Sequence, residues 1–229
     1  MKIFLFFISS ILILNISVSA QNNELITVKA GSKILDNFPV TVRYRYPEFT
    51  SGQILFKNGT VNTTRLNYNF LIDEMEFIQS RDTLSLVKKN DIRFIVVAQD
   101  TFFYDNCYLE QISGGPVKVG LRQRIKLKEV LKKDSYGTSS SGSSTNFYGM
   151  LPSDGNFYKL TANEDLVFQK TMEYYLATSS SGFVQFKKKN VLQLFPQKAA
   201  EIQKYLKSNK VNFDSREDLL KLAEYLRNL

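Results

Sequence analysis

Between residues 49 and 104 the chain alternates short apolar-rich runs with turn residues, a rhythm that fits consecutive antiparallel β-strands. Residues 53–57 are followed by Asn58-Gly59, and a second extended run covers residues 61–68. Asn-Gly supplies both φ > 0 positions of a type I′ turn, so the flanking runs are predicted to pair as a hairpin. Residues 75–78 form a third run. Residues 83–87 alternate polar and apolar side chains as a half-buried strand does, and Lys88-Lys89-Asn90-Asp91 turns the chain again. Residues 92–98 are almost continuously apolar and rich in β-branched types, which predicts a central strand covered on both faces. Residues 101–104 complete about six strands.

Several residues in this stretch also carry a likeness: Gly52, Ile54, Phe56, Lys57, Asn58 and Gly59, then Leu66-Asn67-Tyr68-Asn69, Asp73-Glu74-Met75, Phe77-Ile78 and Asp82-Thr83-Leu84. In this combination, which extends to the C-terminal segment, the chain resembles an uncharacterised family of exported proteins from Bacteroidetes. That family has no established activity. The resemblance therefore implies a source and a compartment and carries over no functional residue.

The first twenty residues agree with export. One Lys precedes an apolar run at residues 3–14, broken only by Ser9 and Ser10, and Val18-Ser19-Ala20 offers the small residues of a cleavage site before Gln21. The apolar core is shorter than the ~20 residues a spanning helix needs, and no later stretch is long and apolar enough to cross. The reading is a signal peptide over 1–20 and a mature chain in the periplasm, associated with the outer membrane, or secreted. Its 209 residues hold 29 basic against 22 acidic side chains, net +7.

Composition removes whole classes of chemistry. The chain has no His and one Cys. Ser-His-Asp and Cys-His nucleophiles, His-ligated zinc, imidazole acid–base catalysis and thiolate metal cages are all excluded. Cys107 can form no internal disulfide, and its apolar, aromatic neighbourhood makes it a small core residue. Carboxylate chemistry stays open. Glu74 and Glu76 share one strand face, and with a distant acid at roughly 5–10 Å they would suit a hydrolase. No cofactor is implied.

Beyond the meander, Val117, Val119, Leu121, Ile125 and Leu127 take one parity of an extended run, and Lys118, Arg122, Arg124, Lys126 and Lys128 take the other. The cations stand at multiples of two residues, about 7 Å per step. A stripe so spaced suits an anionic polymer, and it equally suits a solvated face that guards an edge strand from unwanted pairing. Residues 136–149 are a Ser/Thr/Gly-rich loop flanked by Tyr136 and Tyr148, and a second Thr-Ser-Ser-Ser-Gly begins at Thr178 after Tyr174 and Tyr175. These four tyrosines are candidates for stacking a ligand such as a sugar, or for anchoring the loops. Strands are predicted at residues 156–160, 164–169, 172–176 and 183–186.

From residue 187 the period changes. Pro196 is placed to open a helix carrying Ala199, Ile202, Tyr205 and Leu206 on one face. Ser215 is a good N-cap for a second, with Leu219, Leu222, Ala223 and Leu226 at helical spacing. The expectation is an α+β protein: a β-rich domain at 21–186 and a C-terminal pair of amphipathic helices at 187–229 packed on it. Its expected role is non-enzymatic, binding an envelope protein or an anionic polymer or carbohydrate; export argues against DNA.

Overall fold

The computed structural model describes residues 25–133, 139–142 and 161–229, and within them the chain is an α+β protein, one large antiparallel sheet followed by helices. The strands are β1 (Leu25–Val28), β2 (Thr50–Phe56), β3 (Val61–Asn69), β4 (Glu74–Gln79), β5 (Asp82–Ser85), β6 (Ile92–Val97), β7 (Asp100–Tyr104), β8 (Tyr108–Ser113), β9 (Val117–Lys133), β10 (Ser139–Gly142), β11 (Asp165–Thr178) and β12 (Val184–Gln185). The helices are α1 (Val40–Arg43), α2 (Lys188–Leu194), α3 (Ala199–Ser208) and α4 (Arg216–Arg227). Hydrogen-bonded neighbours run β1-β11-β9-β8-β7-β6-β2-β3-β4-β5, with β10 beside β9 and β12 beside β11.

The hairpin forms by a different turn from the one Asn58-Gly59 suggests. The Gly59 amide donates to the Phe56 carbonyl at 3.0 Å and the Phe56 amide to the Thr60 carbonyl at 2.9 Å, so the loop has three residues. Gly59 alone takes a positive φ, +87°. A three-residue loop needs the left-handed conformation only at its last position, which Gly adopts without strain.

The sheet curls back on itself. β8 accompanies β9 only as far as Leu121, and the chain leaving β3 moves into the space beyond. There the Ile125 amide donates to the Phe70 carbonyl at 2.8 Å, and the Tyr68 hydroxyl donates to the Gln123 carbonyl at 3.1 Å. Inside the curl lies the main core, including Ile54, Leu66, Tyr68, Met75, Ile95, Phe102, Tyr108, Ile125 and Phe168. Ile34 and Phe38 enter it from the segment after β1, and Phe38 meets Phe168 edge-to-face at 5.1 Å. The strand expected to be covered on both faces is β6. It is central, but only Ile92, Ile95 and Val97 are buried, while Phe94 and Val96 are half-buried and Arg93 is exposed. Among the described residues no second layer covers its outer face there; a row of aromatics does, Phe94 against Phe103 and Phe103 against Phe183.

A second core joins the helices to β9 and β11. Val117, Val119 and Leu121 from one parity of β9, with Tyr174 and Leu176 from β11, pack against Val191, Ile202, Leu206, Leu219, Leu222, Ala223 and Leu226. In α4 those residues fall at i, i+3, i+4 and i+7, one face of a helix. The Ser215 side chain accepts the Asp218 amide at 3.3 Å, capping α4 as its sequence predicts. Pro196 opens a 3-10 turn that leads into α3. The structure adds α2, where Val191 is buried behind an exposed run of lysines, and β8, neither of which the sequence reading found. It also places Ser139–Gly142 of the Ser/Thr/Gly-rich loop in a strand against β9. The strand expected at residues 156–160 lies outside the described residues.

Candidate binding groove and charged face

The β3–β4 ladder runs only from Leu66↔Phe77 to Asn69↔Glu74, whereas β2 accompanies β3 from Leu66 back to Val61. β4 meanwhile continues beside β5 to Gln79↔Asp82. The two strands therefore part, and the near end of β3 has a strand on one side and, among the described residues, none on the other. Between them opens a groove of about 440 Å3 lined by Ile54, Phe56, Val61, Phe77, Leu86 and Val87 among others. Its floor is apolar and its rim open and mixed: Val61 is 50% and Val87 78% exposed, and Asn62, Thr63 and Gln79 are exposed beside them. The Phe56 amide bonds Thr60, so by the alternation of an antiparallel ladder Asn62 and Thr64 turn their backbone groups to β2. Val61 and Thr63 turn theirs into the groove.

The strand pair that opens here is pinned firmly at its other end. Residues 44–48 cross beside β3, and Asn67 Nδ2 donates to the Tyr46 and Glu48 carbonyls at 2.8 and 3.2 Å while its Oδ1 accepts the Tyr46 amide. Arg45 grips Glu110 at 2.9 and 3.1 Å and Asp100 at 3.1 Å. The Tyr46 hydroxyl donates to Asp100 at 2.7 Å. Glu76 is 2% exposed and accepts the Tyr44 hydroxyl at 2.7 Å and Asn69 Nδ2 at 2.9 Å. Burial and the Glu76 carboxylate push the Tyr44 hydroxyl well above its ordinary pKa. Glu74 is paired with Lys89 instead, and burial raises its carboxyl although the Lys89 ammonium opposes the shift. Lys89 also lies over the rings of Tyr104 and Tyr108, 5.6 and 5.9 Å from their centres. The two acids read as neighbours on one face thus have separate partners, and the Glu76 carboxylate is enclosed rather than set in a cleft.

The five cations of β9 do take one parity, but they do not face open solvent as a free stripe. Arg124 pairs with Glu173 of β11 at 3.1 Å, Lys126 pairs with the same carboxylate, and Arg122 approaches its other oxygen at 3.6 Å. Arg122 also bonds Asp73, through Nε at 3.0 Å. Asp73 sits at φ +59° in the β3–β4 turn and accepts the Tyr68 hydroxyl as well. Lys118 lies 5.1 Å from the centre of the Phe103 ring, and Lys128 is exposed. Burial pushes the Glu173 carboxyl up, but hydrogen bonds from Lys126 and Arg124 and the two charges outweigh it and hold it at about 2. Glu173 and Asp73 are the residues sequence reasoning missed. An acid on a predicted strand that can pair with a cation-rich one is the signal that could have found Glu173.

Cys107 is free and 7% exposed, and burial pushes its thiol up, away from nucleophilic form. Tyr174 is 8% exposed and belongs to the core beneath the helices, so its ring offers no face to a ligand. Tyr175, on the opposite parity, is half-buried with its hydroxyl 3.5 Å from Glu173. Tyr136 and Tyr148 lie outside the described residues.

Fold and surface define a class, an α+β protein whose curled sheet opens at one end into an apolar groove. Comparison with protein-family models, curated proteins and solved structures finds no match to this chain.

Proposed function

We propose that the chain is an exported, non-enzymatic protein-interaction module of a bacterial envelope, and that it takes up an extended segment of a partner between β3 and β4. The observation that carries this reading is the parting of the two strands beside an apolar groove. Unpaired edge groups are a template for another strand, and strand addition draws affinity from main-chain hydrogen bonds and specificity from pockets for alternate side chains. Val61 and Thr63 offer the former; the lining from Ile54 to Leu86 offers the latter. The signal-peptide pattern and the resemblance to exported proteins support the compartment. In the native host, the mature chain should start at Gln21 outside the cytoplasm; full-length protein recovered from the cytosol would refute export.

Thr63→Pro tests the groove. The Thr63 N–H serves no strand among the described residues, and Pro is tolerated at such edge positions, so the fold should persist. Short peptides alternating apolar and polar residues should bind the native protein and protect the Val61 and Thr63 amides from hydrogen exchange. The Pro variant should bind them at least about tenfold more weakly, the equivalent of one or two lost hydrogen bonds. Equal binding by both proteins would exclude strand addition, and so would failure of every peptide to bind.

A further inference from the structure

Three of the five cations on the β9 face that sequence marks, Arg122, Arg124 and Lys126, pair with Glu173 and Asp73, and most of the chain's unbalanced charge lies elsewhere. Residues 187–229 hold ten Lys and Arg against five Asp and Glu, net +5, which leaves +2 for residues 21–186. Three of those cations pair with acids of their own helices, Lys198 with Glu201, Lys221 with Glu217 and Arg227 with Glu224. Lys187, Lys188, Lys189, Lys204, Lys207, Lys210 and Arg216 are exposed and form no ion pair among the described residues. On α3 the core face is set by Ile202 and Leu206, and at 100° per residue Lys204 and Lys207 project from the opposite side.

We propose that this helical cap docks the protein electrostatically onto an anionic lipid surface. Two further observations select that partner. None of the large exposed apolar side chains lies in residues 187–229, so the cap lacks the apolar anchors on which protein interfaces depend. Its aromatic pair, Tyr205 and Tyr225, is stacked face to face at 4.0 Å, so these rings are engaged with each other and not free to stack nucleic-acid bases. Charge without apolar anchors or free stacking rings suits a surface of acidic headgroups, to which each nearby Lys adds affinity that falls off within a Debye length. The inference is independent of the groove: the two surfaces share no residue.

The test is sedimentation with phosphatidylcholine vesicles, with and without phosphatidylglycerol, at low and physiological salt. The native protein should partition onto the phosphatidylglycerol vesicles only, and less as salt rises. Each lysine is expected to contribute about fivefold, so Lys204→Gln, Lys207→Gln and Lys210→Gln together should weaken partition about 100-fold. Lys57→Gln, at the exposed β2–β3 loop, should leave it unchanged. Equal partition of the triple variant and the native protein would overturn the proposal. So would equal binding to uncharged vesicles, no binding to either kind, or tighter binding to heparin or nucleic acid than to the anionic vesicles.

Discussion

Glu173→Gln should destabilise the protein by about 2–3 kcal/mol at neutral pH, and the gap between native and variant should close as the solution is acidified. The size follows from what the carboxylate holds together. Arg124 and Lys126 reach one of its oxygens and Arg122 lies 3.6 Å from the other, so the amide leaves three neighbouring cations with one fewer counter-charge. At 23% side-chain exposure the site lies between an exposed ion pair, worth up to about 1 kcal/mol, and a buried one, whose breaking costs about 3–5 kcal/mol. The folded protein holds this carboxyl at about 2, below the 4.5 of an unperturbed Glu. A depressed folded-state value means that the contribution is complete above pH 4.5 and is lost as pH falls from there toward 2. Urea unfolding at pH 7, 4 and 2.5 measures it. Native protein should lose about 3 kcal/mol more than the variant across that window, and a constant difference would show that Glu173 does not anchor the cluster.

That pairing also shows what the sequence could and could not disclose. Parity within one strand is local: alternation placed Val119 and Leu121 opposite Arg122 and Arg124, and the structure keeps them so. What the cations face depends on which strand lies alongside. Arg124 and Glu173 are 49 residues apart in sequence, and nothing local sets that register. Helix signals behaved the same way. Ser215 caps α4 because a cap needs only residues within one turn, whereas α2 begins inside the run Lys187-Lys188-Lys189, which carries no apolar period and no capping side chain to mark a helix start. β8 escaped notice because polar Glu110 and Gln111 interrupt its apolar residues. The groove was the least legible feature, since it arises where a ladder stops, and each strand beside it reads as an ordinary strand.

Gly52→Ala should destabilise the fold by about 2–3 kcal/mol, which for a chain of this size lowers Tm by roughly 5–10 °C. By propensity alone the change should help, because Gly inside a strand is entropically costly and packs nothing. The local geometry reverses that sign. A Cβ at Gly52 would stand 2.6 Å from the Val96 carbonyl oxygen, 2.9 Å from Leu66 Cδ1 and 3.3 Å from Val97 Cγ2. A Leu methyl can swing aside; the carbonyl cannot, because it belongs to the backbone of β6, paired with β2 through Gly52↔Val97 and Gln53↔Val96. Relief must come from spreading β2 from β6, and Ile54, two residues along β2, lies in the groove lining. The variant should therefore show lower thermal stability together with faster amide exchange in β2 and β6. A variant as stable as the native protein would mean that the two strands have room to spare, and that Gly52 is not what sets the spacing beneath the groove.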